Sequence, residues 1–387
     1  MNRATVSIVR ADEYDYDKVY PAVEKSLDLI GGLETIVKPG SRVFVKINHL
    51  SPASEPDKAI ITHPVFVQAV LEMLKKADAN ITVGDDIDSR DGDGFQVSGF
   101  RQMCEKTGVR LVNLRETGFV ETKCDGRFLK SLHLPAAVLD ADIIVNLPKL
   151  KTHSLTIFTG GVKNMYGIIP QGLRTRFHGD YVRIDDFCQM LTDVFSTAIP
   201  QLTIMDGIVA MEGDGPSSGK PRQAGVVLAG RDAVAVDAVA TKITGVDPLD
   251  IYTTRYADEQ GLGVGNLENI DIVGERLEEV SIPDFKLPSS AANIIMKRIP
   301  KFLFRFIQAQ IATKPQVIKR QCTQCLACEE MCPVNAIAVR ENRPAKIDKN
   351  ICIACMCCHE VCRSNAVKPV MPVMGRAIYV VYNFLKR

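Results

Sequence analysis

Residues 142–150 read DIIVNLPKL and are followed at once by a polar stretch, KTHSLTIFTGGVKNMYG, over 151–167. An apolar, β-branched run without alternation marks a strand buried on both faces, as in a parallel sheet covered by helices. Comparable runs stand at 5–11 (TVSIVRA), 42–48 (RVFVKIN), 80–86 (NITVGDD), 110–114 (RLVNL), 202–211, 225–230 and 270–275. Helical patterns lie between them at 16–32, 64–77, around 100–108, at 182–197 and at 231–245, and several end at Gly. Strands spaced by helices give an α/β fold over residues 1–285, a mostly parallel sheet covered by helices.

In such a sheet, ligands bind outside the carboxyl ends of the strands. The polar stretch after DIIVNL is therefore a candidate anion site, with Lys149, Lys151, His153, Thr159, Gly160, Gly161, Lys163 and Asn164. Cations, a hydroxyl and Gly-Gly amides suit phosphate or carboxylate. A merely solvated loop would also carry Lys and His, but three Lys, one His and Gly-Gly this close to a buried strand favour a site.

A second constellation is MDGIVAMEGDGPSSGKP, residues 205–221. It is not a Walker loop, because Asp214 stands where the first Gly belongs and Pro221 follows Lys220. Either it is a flexible Gly-rich turn, or Asp206 and Glu212 serve acid–base or metal-binding roles there, with the Gly amides facing an oxyanion. A third, GDDIDSRDGDG (84–94), fails the EF-hand pattern at Arg90 and Val97 and reads as a solvated acidic loop. Lys46, Asn48, His49 and His63 belong to the same sheet edge, with no geometry fixed by the sequence. No G-x-G-x-x-G follows a strand, and G-x-S-x-G, H-E-x-x-H and basic-aromatic nucleic-acid patterns are absent.

Nine of the twelve Cys fall between Cys322 and Cys362. Cys322, Cys325, Cys328 and Cys332 follow C-x2-C-x2-C-x3-C with Pro333 after them, and Cys352, Cys355, Cys358 and Cys362 repeat the spacing. Two-residue gaps let three thiolates converge on separate irons of a cubane while the fourth reaches a neighbouring cluster, so the duplicated run reads as two [4Fe-4S] clusters. Zinc sites need local Cys pairs and rarely show this doubled run. The clusters could serve as staples, but two in series suit an electron wire. Cys357 is a surplus thiol.

The chain has 387 residues, 46% hydrophobic and 24% charged, which excludes disorder, collagen and coiled coil. Its net charge of +1 excludes a bulk polyanion binder. Eight basic residues without an acidic one lie between Lys286 and Arg320, and five more follow Glu360. We therefore divide the chain into the α/β body (1–285), a basic linker (286–320), a small α+β cluster domain (321–368) and a basic apolar tail (369–387). The acidic turn of MNRATVSIVRADEYDYD and the short run AIYVVYNFL argue against a signal peptide and a membrane span. A cytoplasmic protein is expected, with the basic flanks packed on protein or lying on anionic lipid.

Residues 321–368 resemble the bacterial two-cluster ferredoxin family, through QCTQCLACEEMCPVNAI and ICIACMCCHEVCRSNAV. The resemblance implies that Cys322, Cys325, Cys328 and Cys362 hold one cluster, and Cys352, Cys355, Cys358 and Cys332 the other. Arg363 stands where the second motif usually has Pro. The body, over about residues 5–260, resembles a family catalogued as domain of unknown function 362, through VFVKINHL, VNLPKLKTH, GGVKNMYG, MDGIVAMEGDGP and AVDAVA. That family is found in bacteria and archaea, often fused to a two-cluster module, and supplies no reaction.

The expectation is an iron–sulfur redox protein whose two [4Fe-4S] clusters exchange electrons with an anionic small molecule held by the body, fed by an electron donor or acceptor protein. The alternative is a non-catalytic electron-transfer or assembly subunit docked by its basic flanks to an acidic partner or to the membrane surface. A flavin would link one- and two-electron chemistry, but no motif shows one.

Overall fold

In the computed structural model, which describes residues 3–50, 53–87, 92–291, 313–370 and 372, the chain begins with strand β1 (Ala4–Arg10), helix α1 (Tyr16–Asp28), β2 (Arg42–Ile47), α2 (Pro64–Lys76) and β3 (Asn80–Asp85). Helices α3 (Gly94–Val97) and α4 (Phe100–Thr107) lead to β4 (Arg110–Asn113), a hairpin of β5 (Phe119–Lys123) and β6 (Ser131–Pro135), and α5 (Ala136–Leu139). Next come β7 (Ile143–Leu147), β8 (Lys149–His153), β9 (Ile157–Thr159), α6 (Gly161–Asn164), α7 (Gln171–Asp180) and α8 (Ile184–Ser196). The hairpin β10 (Leu202–Glu212) and β11 (Lys220–Gly230), then α9 (Ala233–Ile243), α10 (Tyr252–Glu259), β12 (Ile270–Gly274) and α11 (Leu277–Val280), complete the body.

The main sheet runs β12-β1-β11-β10-β7-β2-β3-β4. Strands β10, β7, β2, β3 and β4 are parallel neighbours, while β11 is antiparallel to both β1 and β10. The α/β expectation of a mostly parallel, helix-covered sheet therefore holds. Alternation along β2 explains the two layers, since successive side chains of a strand point to opposite faces. Val43, Val45 and Ile47 join α1 and α2 through Val19, Val23, Phe66 and Leu71. Phe44 joins α8 through Phe187, Leu191 and Phe195 on the other face.

DIIVNLPKL is two strands rather than one. Proline supplies no N–H to a ladder, and the run breaks at Pro148 into β7 and β8. Strand β10 follows both, pairing Leu202 and Thr203 with β7, then Asp206 with Lys149 and Met211 with Lys151 of β8. The stretch 205–221 spans the end of the strand expected at 202–211, a turn over 213–219 and the start of β11, so it forms the tip of the β10–β11 hairpin.

The Cys-rich segment forms two small antiparallel ribbons. β13 (Lys314–Val317) pairs with the last strand, while β14 (Ile337–Arg340) and β15 (Arg343–Ile347) form a hairpin; β13's partner is β16 (Val367–Val370). Two single-turn helices, α12 (Ala327–Glu330) and α13 (Cys357–Glu360), carry the middle of each Cys motif. This small module sits on the carboxyl edge of the body's sheet. The Gln171 amide and Thr175 hydroxyl of α7 donate to the Met331 sulfur at 3.5 and 3.8 Å, Ser217 donates to the Glu360 carbonyl at 3.3 Å, and the His359 ring meets the Asp214 carbonyl at 3.3 Å. Residues 292–312 of the expected basic linker, and 371 and 373–387 of the expected tail, lie outside the described residues. Among the described residues no helix is long and apolar enough to cross a membrane.

The body is locked from within by Asp237 of α9. Its carboxylate accepts the amides of Gly161 (2.5 Å) and Val162 (3.0 Å), which start α6. Burial pushes this carboxyl up to about 7, against the pull of the two amides. An Asn at this position would set an NH2 against one of those amides, leaving a buried donor without an acceptor. We therefore expect Asp237→Asn to cost about 1–3 kcal/mol in urea unfolding; an unchanged midpoint would refute the lock.

Candidate functional site

Strand β8 projects Lys149, Lys151 and His153 from one face, with Leu150 and Thr152 on the other. All three are buried, but their surroundings differ. The Lys149 ammonium donates to Asp206 Oδ2 at 2.8 Å and to the Tyr14 hydroxyl. Asp206 also accepts from Tyr14 Oη (2.7 Å) and from the amides of His63 (2.9 Å) and Ile208 (3.3 Å). The His63 ring stacks on Tyr14 with centroids 3.7 Å apart. Burial lowers the Lys149 ammonium, opposed by Asp206. This cluster is closed and saturated: it ties β8, β10, the approach to α1 and the start of α2, and it does not border the cavity described next.

Glu212 also stays apart from that cavity. Its Oε2 accepts the amide of Lys286 at 3.1 Å, and Asp214 accepts that of Ser289 at 2.7 Å, so both pin residues 286–289. Among the described residues, neither Asp206 nor Glu212, the carboxylates expected in acid–base roles, lines that cavity.

Between the sheet edge and the Cys module lies a cavity of about 130 Å³. The body contributes Lys46, Asn48, His49, Asp85, Asp86, Lys151, His153, Thr159, Lys163, Asn164, Arg174 and His178; the module contributes Met331, Cys357, Glu360 and Val361. A larger cavity of about 470 Å³ adjoins it and shares Gln171, Met331, Glu360 and Val361 as walls.

The charges of the inner cavity are unevenly matched. Lys46 meets Asp85 at 2.8 Å, and Asp86 holds both Arg174 (2.5 Å) and Arg115 (2.7 Å). Lys151 donates to the Ile60 carbonyl at 2.6 Å, and Lys163 lies over the Tyr166 ring, 5.8 Å from its centroid. The charge of Glu360 of α13 acts on both of these lysines. Burial, then the charge of Lys163, brings the Lys151 ammonium down to about 7; burial lowers Lys163 as well, opposed by Glu360. Burial raises Glu360, against the pull of Lys163.

The histidines are neutral. Burial, followed by nearby cations, brings His49 down to about 4 and His178 to about 3, and pushes His153 well below its usual value. His153 Nδ1 accepts the amides of Leu155 (3.0 Å) and Thr156 (3.4 Å), so its proton sits on Nε2, 3.3 Å from Glu360 Oε1. Buried polar atoms are normally satisfied. Of the ten buried side-chain N or O atoms without a hydrogen-bond partner among the described residues, six belong to walls of this cavity: Asn48, His49, Thr159, Arg174, His178 and Glu360.

Of the residues expected from sequence, Lys151, His153, Thr159, Lys163 and Asn164 meet here, whereas Lys149 belongs to the Asp206 cluster. The Gly160–Gly161 turn does bind a carboxylate, but it is the chain's own Asp237 at the Gly161 amide; a Cβ on Gly160 would stand 2.1 Å from Asp237 Oδ1. Asp85 and Asp86, read as part of a solvated loop, are buried counter-ions, while 88–91 of that loop lie outside the described residues. Arg174, His178 and Glu360 were missed. The one available signal was the i, i+4 spacing of Arg174 and His178, which places both on one face of α7.

The Cys module shows its duplication in the backbone. Left-handed residues recur at a spacing of thirty: Gln324 and Ala354, Leu326 and Met356, Asn335 and Asn365. The Ala336 and Ala366 amides, again thirty apart, each donate 3.1 Å bonds to Cys332 and Cys362 sulfurs, and Ala345 donates to Cys322 at 3.4 Å. Arg363 occupies the same kind of turn as Pro333. Amides aimed at sulfur suit thiolates that carry charge. Burial pushes the Cys328 thiol up to about 11 and raises that of Cys352. Cys357 is buried and hydrogen-bonds Cys355. Among the described residues, no three His, Cys, Asp or Glu side chains meet as ligands of a single ion would.

A family model described as "Domain of unknown function (DUF362)" matches residues 43–242, and one described as "4Fe-4S binding domain" matches 315–338. The chain is 29% identical over 316 residues to "Thylakoid-associated protein sll1697" of a Synechocystis species, covering 79% of this chain and 96% of that protein. Two solved structures are more distantly similar. The lactate racemase apoprotein from Thermoanaerobacterium thermosaccharolyticum has 12% identity and a TM-score of 0.38, over 60% of this chain and 54% of that one. A structural-genomics target from Thermotoga maritima has 13% identity and a TM-score of 0.35, over 55% of each chain. The chain spans about half the length of both.

The cavity's charge state yields a pH dependence. Lys151 is protonated below about 7 and neutral above it. An anion beside it favours the charged form, so anion affinity should fall as pH rises through about 7, with proton uptake on binding above that pH. Calorimetry in two buffers of different ionisation enthalpy measures the uptake. Lys151→Met should remove it; uptake unchanged in that variant would exclude Lys151 as the group.

Proposed function

The chain belongs to the DUF362 family and carries a 4Fe-4S binding domain near its C-terminus, and from that premise we propose that it is an iron–sulfur redox protein with two [4Fe-4S] clusters facing an anion site in the α/β body. One observation carries this reading. The cavity walled by the surplus lysines Lys151 and Lys163 is closed on its other side by Cys357, Glu360 and Val361, within the second Cys motif.

Cys322, Cys325, Cys328 and Cys362 hold one cluster, and Cys352, Cys355, Cys358 and Cys332 the other; the amides aimed at the sulfurs of Cys322, Cys332 and Cys362 suit such ligands. The clusters supply single electrons. The chain's residues do the rest. Lys151, Lys163 and Arg174 hold the anion's charge, and His153 keeps a proton on Nε2 beside Glu360. Met331 and Val361 cover the cavity against water. Its volume of about 130 Å³ lies below the roughly 300–1,000 Å³ of pockets that enclose drug-sized ligands, which favours a small anion over a flavin there. In this reading the body (1–285) and the cluster domain (321–368) form the site together, at the cytoplasmic side of any membrane.

A second reading is a non-catalytic electron-transfer or assembly subunit held by its basic flanks to an acidic partner or an anionic membrane. It draws on the unopposed basic residues and on the thylakoid association in the relative's name. Its mark is release from anionic vesicles as salt rises, with no small anion bound.

Anaerobic purification with iron and sulfide analysis tests the first reading. About eight irons per chain are expected for two cubanes, and Cys328→Ala should lose about half of them. Lys163→Ala should keep its iron and bind a small anion such as phosphate roughly tenfold or more weakly. Full iron in the Cys328 variant, or unaltered anion affinity in the Lys163 variant, would overturn the assignment.

A further inference from the structure

The polar groups of the inner cavity are not all suited to a bare anion. Asn146 donates through Nδ2 to the Gly161 carbonyl at 3.0 Å, and a carbonyl can only accept. Its Oδ1 must therefore be the acceptor of the 2.8 Å bond from Asn164 Nδ2. That orientation of Asn164 is fixed a second time by the Ile47 carbonyl, 3.4 Å from the same Nδ2. Asn164 Oδ1 then accepts from Asn48 Nδ2 at 3.0 Å. The relay ends with Asn48 Oδ1, a buried acceptor with no donor among the described residues, on a residue only 7% exposed.

A second acceptor is oriented in the same way. Ser98 has one hydroxyl proton, directed at the Gly94 carbonyl at 2.9 Å. With that proton so placed, its oxygen accepts from His49 Nε2–H at 3.0 Å, and in this tautomer His49 Nδ1 keeps a lone pair that meets no donor among the described residues. Amide and tautomer orientations follow here from the bonding network. Both side chains stand among cations. Lys46, Lys151, Lys163 and Arg174 line the cavity against Asp85, Asp86 and Glu360, and Asp86 is further engaged by Arg115.

A ligand that only accepts would satisfy the lysines and leave both acceptors unmet, at the desolvation cost that attends a buried orphan. We propose that the inner cavity selects a small anion that itself donates a hydrogen bond, a protonated oxyanion or a hydroxyl-bearing acid, with Asn48 Oδ1 and His49 Nδ1 as its acceptors. This deepens the anion-site reading above and rests on it.

Hydrogen phosphate and sulfate separate the two claims. At a pH where phosphate is mainly the hydrogen-phosphate dianion, the two probes share charge, shape and size, and differ in one proton. With the anaerobically purified, iron-loaded full chain, phosphate should bind roughly tenfold or more tightly than sulfate in calorimetry, as expected for a hydrogen bond to a charged group. Asn48→Leu should bring the ratio towards one without loss of iron. Equal affinity for the two anions in the native chain would overturn the donor selection while sparing the anion site, a water then serving the two acceptors. No binding of either probe would overturn both readings. A phosphate preference that survives in an iron-loaded Asn48 variant would remove Asn48 from the recognition. Because the native ratio alone decides the main claim, it does not depend on whether the variant folds.

Discussion

Four lysines and one arginine, buried or half-buried at one sheet edge, set the terms for the rest of this structure. A cation removed from water needs a partner, or it loses its proton. Lys46 has Asp85 and Arg174 has Asp86, both aspartates standing at the end of β3. Lys149, deeper along β8, has Asp206 at 2.8 Å. Those three pairs are complete within the body and explain why its carboxyl edge holds together as a rigid rim. Lys151 and Lys163 are left over, and an α/β body alone would leave both pointing into an unmatched pocket.

The Cys module is what closes that pocket. Its helix α13 places Glu360 and Cys357 in the wall of the cavity that the two lysines also line. One carboxylate for two ammonium groups is too little, which is why burial pulls Lys151 down and why an anion has room electrostatically as well as sterically. The same short helix lies between Cys355 and Cys362 of the second motif. Docking of the module and completion of the cavity are therefore one event. The contacts that hold the module down, Met331 on α7, His359 on the Asp214 carbonyl and Ser217 on the Glu360 carbonyl, all surround it.

Local pattern carried much of this and long-range pairing carried the rest. DIIVNL, RVFVKIN and their companions were legible as buried strands because burial on both faces leaves a continuous apolar signature. The doubled Cys spacing was legible because each motif is a local wrap of backbone around sulfur. Lys151, His153, Lys163 and Asn164 were legible as a group because they follow a strand at its carboxyl end. What could not be read was who answers whom. Gly160–Gly161 looks like an anion cradle, and it is one, but the anion is Asp237, far along the chain in a helix whose first two turns are otherwise apolar. Asp85 and Asp86 looked solvated because acidic loops usually are, and only the approach of Lys46, Arg115 and Arg174 from three other segments buries them.

The sharpest case is the contrast between Lys149 and Lys151. They are the same residue type, two apart on one strand, on one face, and both fully buried. Composition and period treat them alike. The difference lies in the neighbouring strand: β10 runs parallel to β8 with an irregular register, so that Asp206 stands opposite Lys149 while Met211, five residues on, stands opposite Lys151. A carboxylate opposite the first lysine makes a closed internal pair. A thioether opposite the second puts no carboxylate beside it on the sheet, and Glu360 stands in the wall of the cavity that Lys151 lines. The irregularity in that register, rather than the lysines themselves, separates the part of the strand that closes an internal ion pair from the part that faces the cavity.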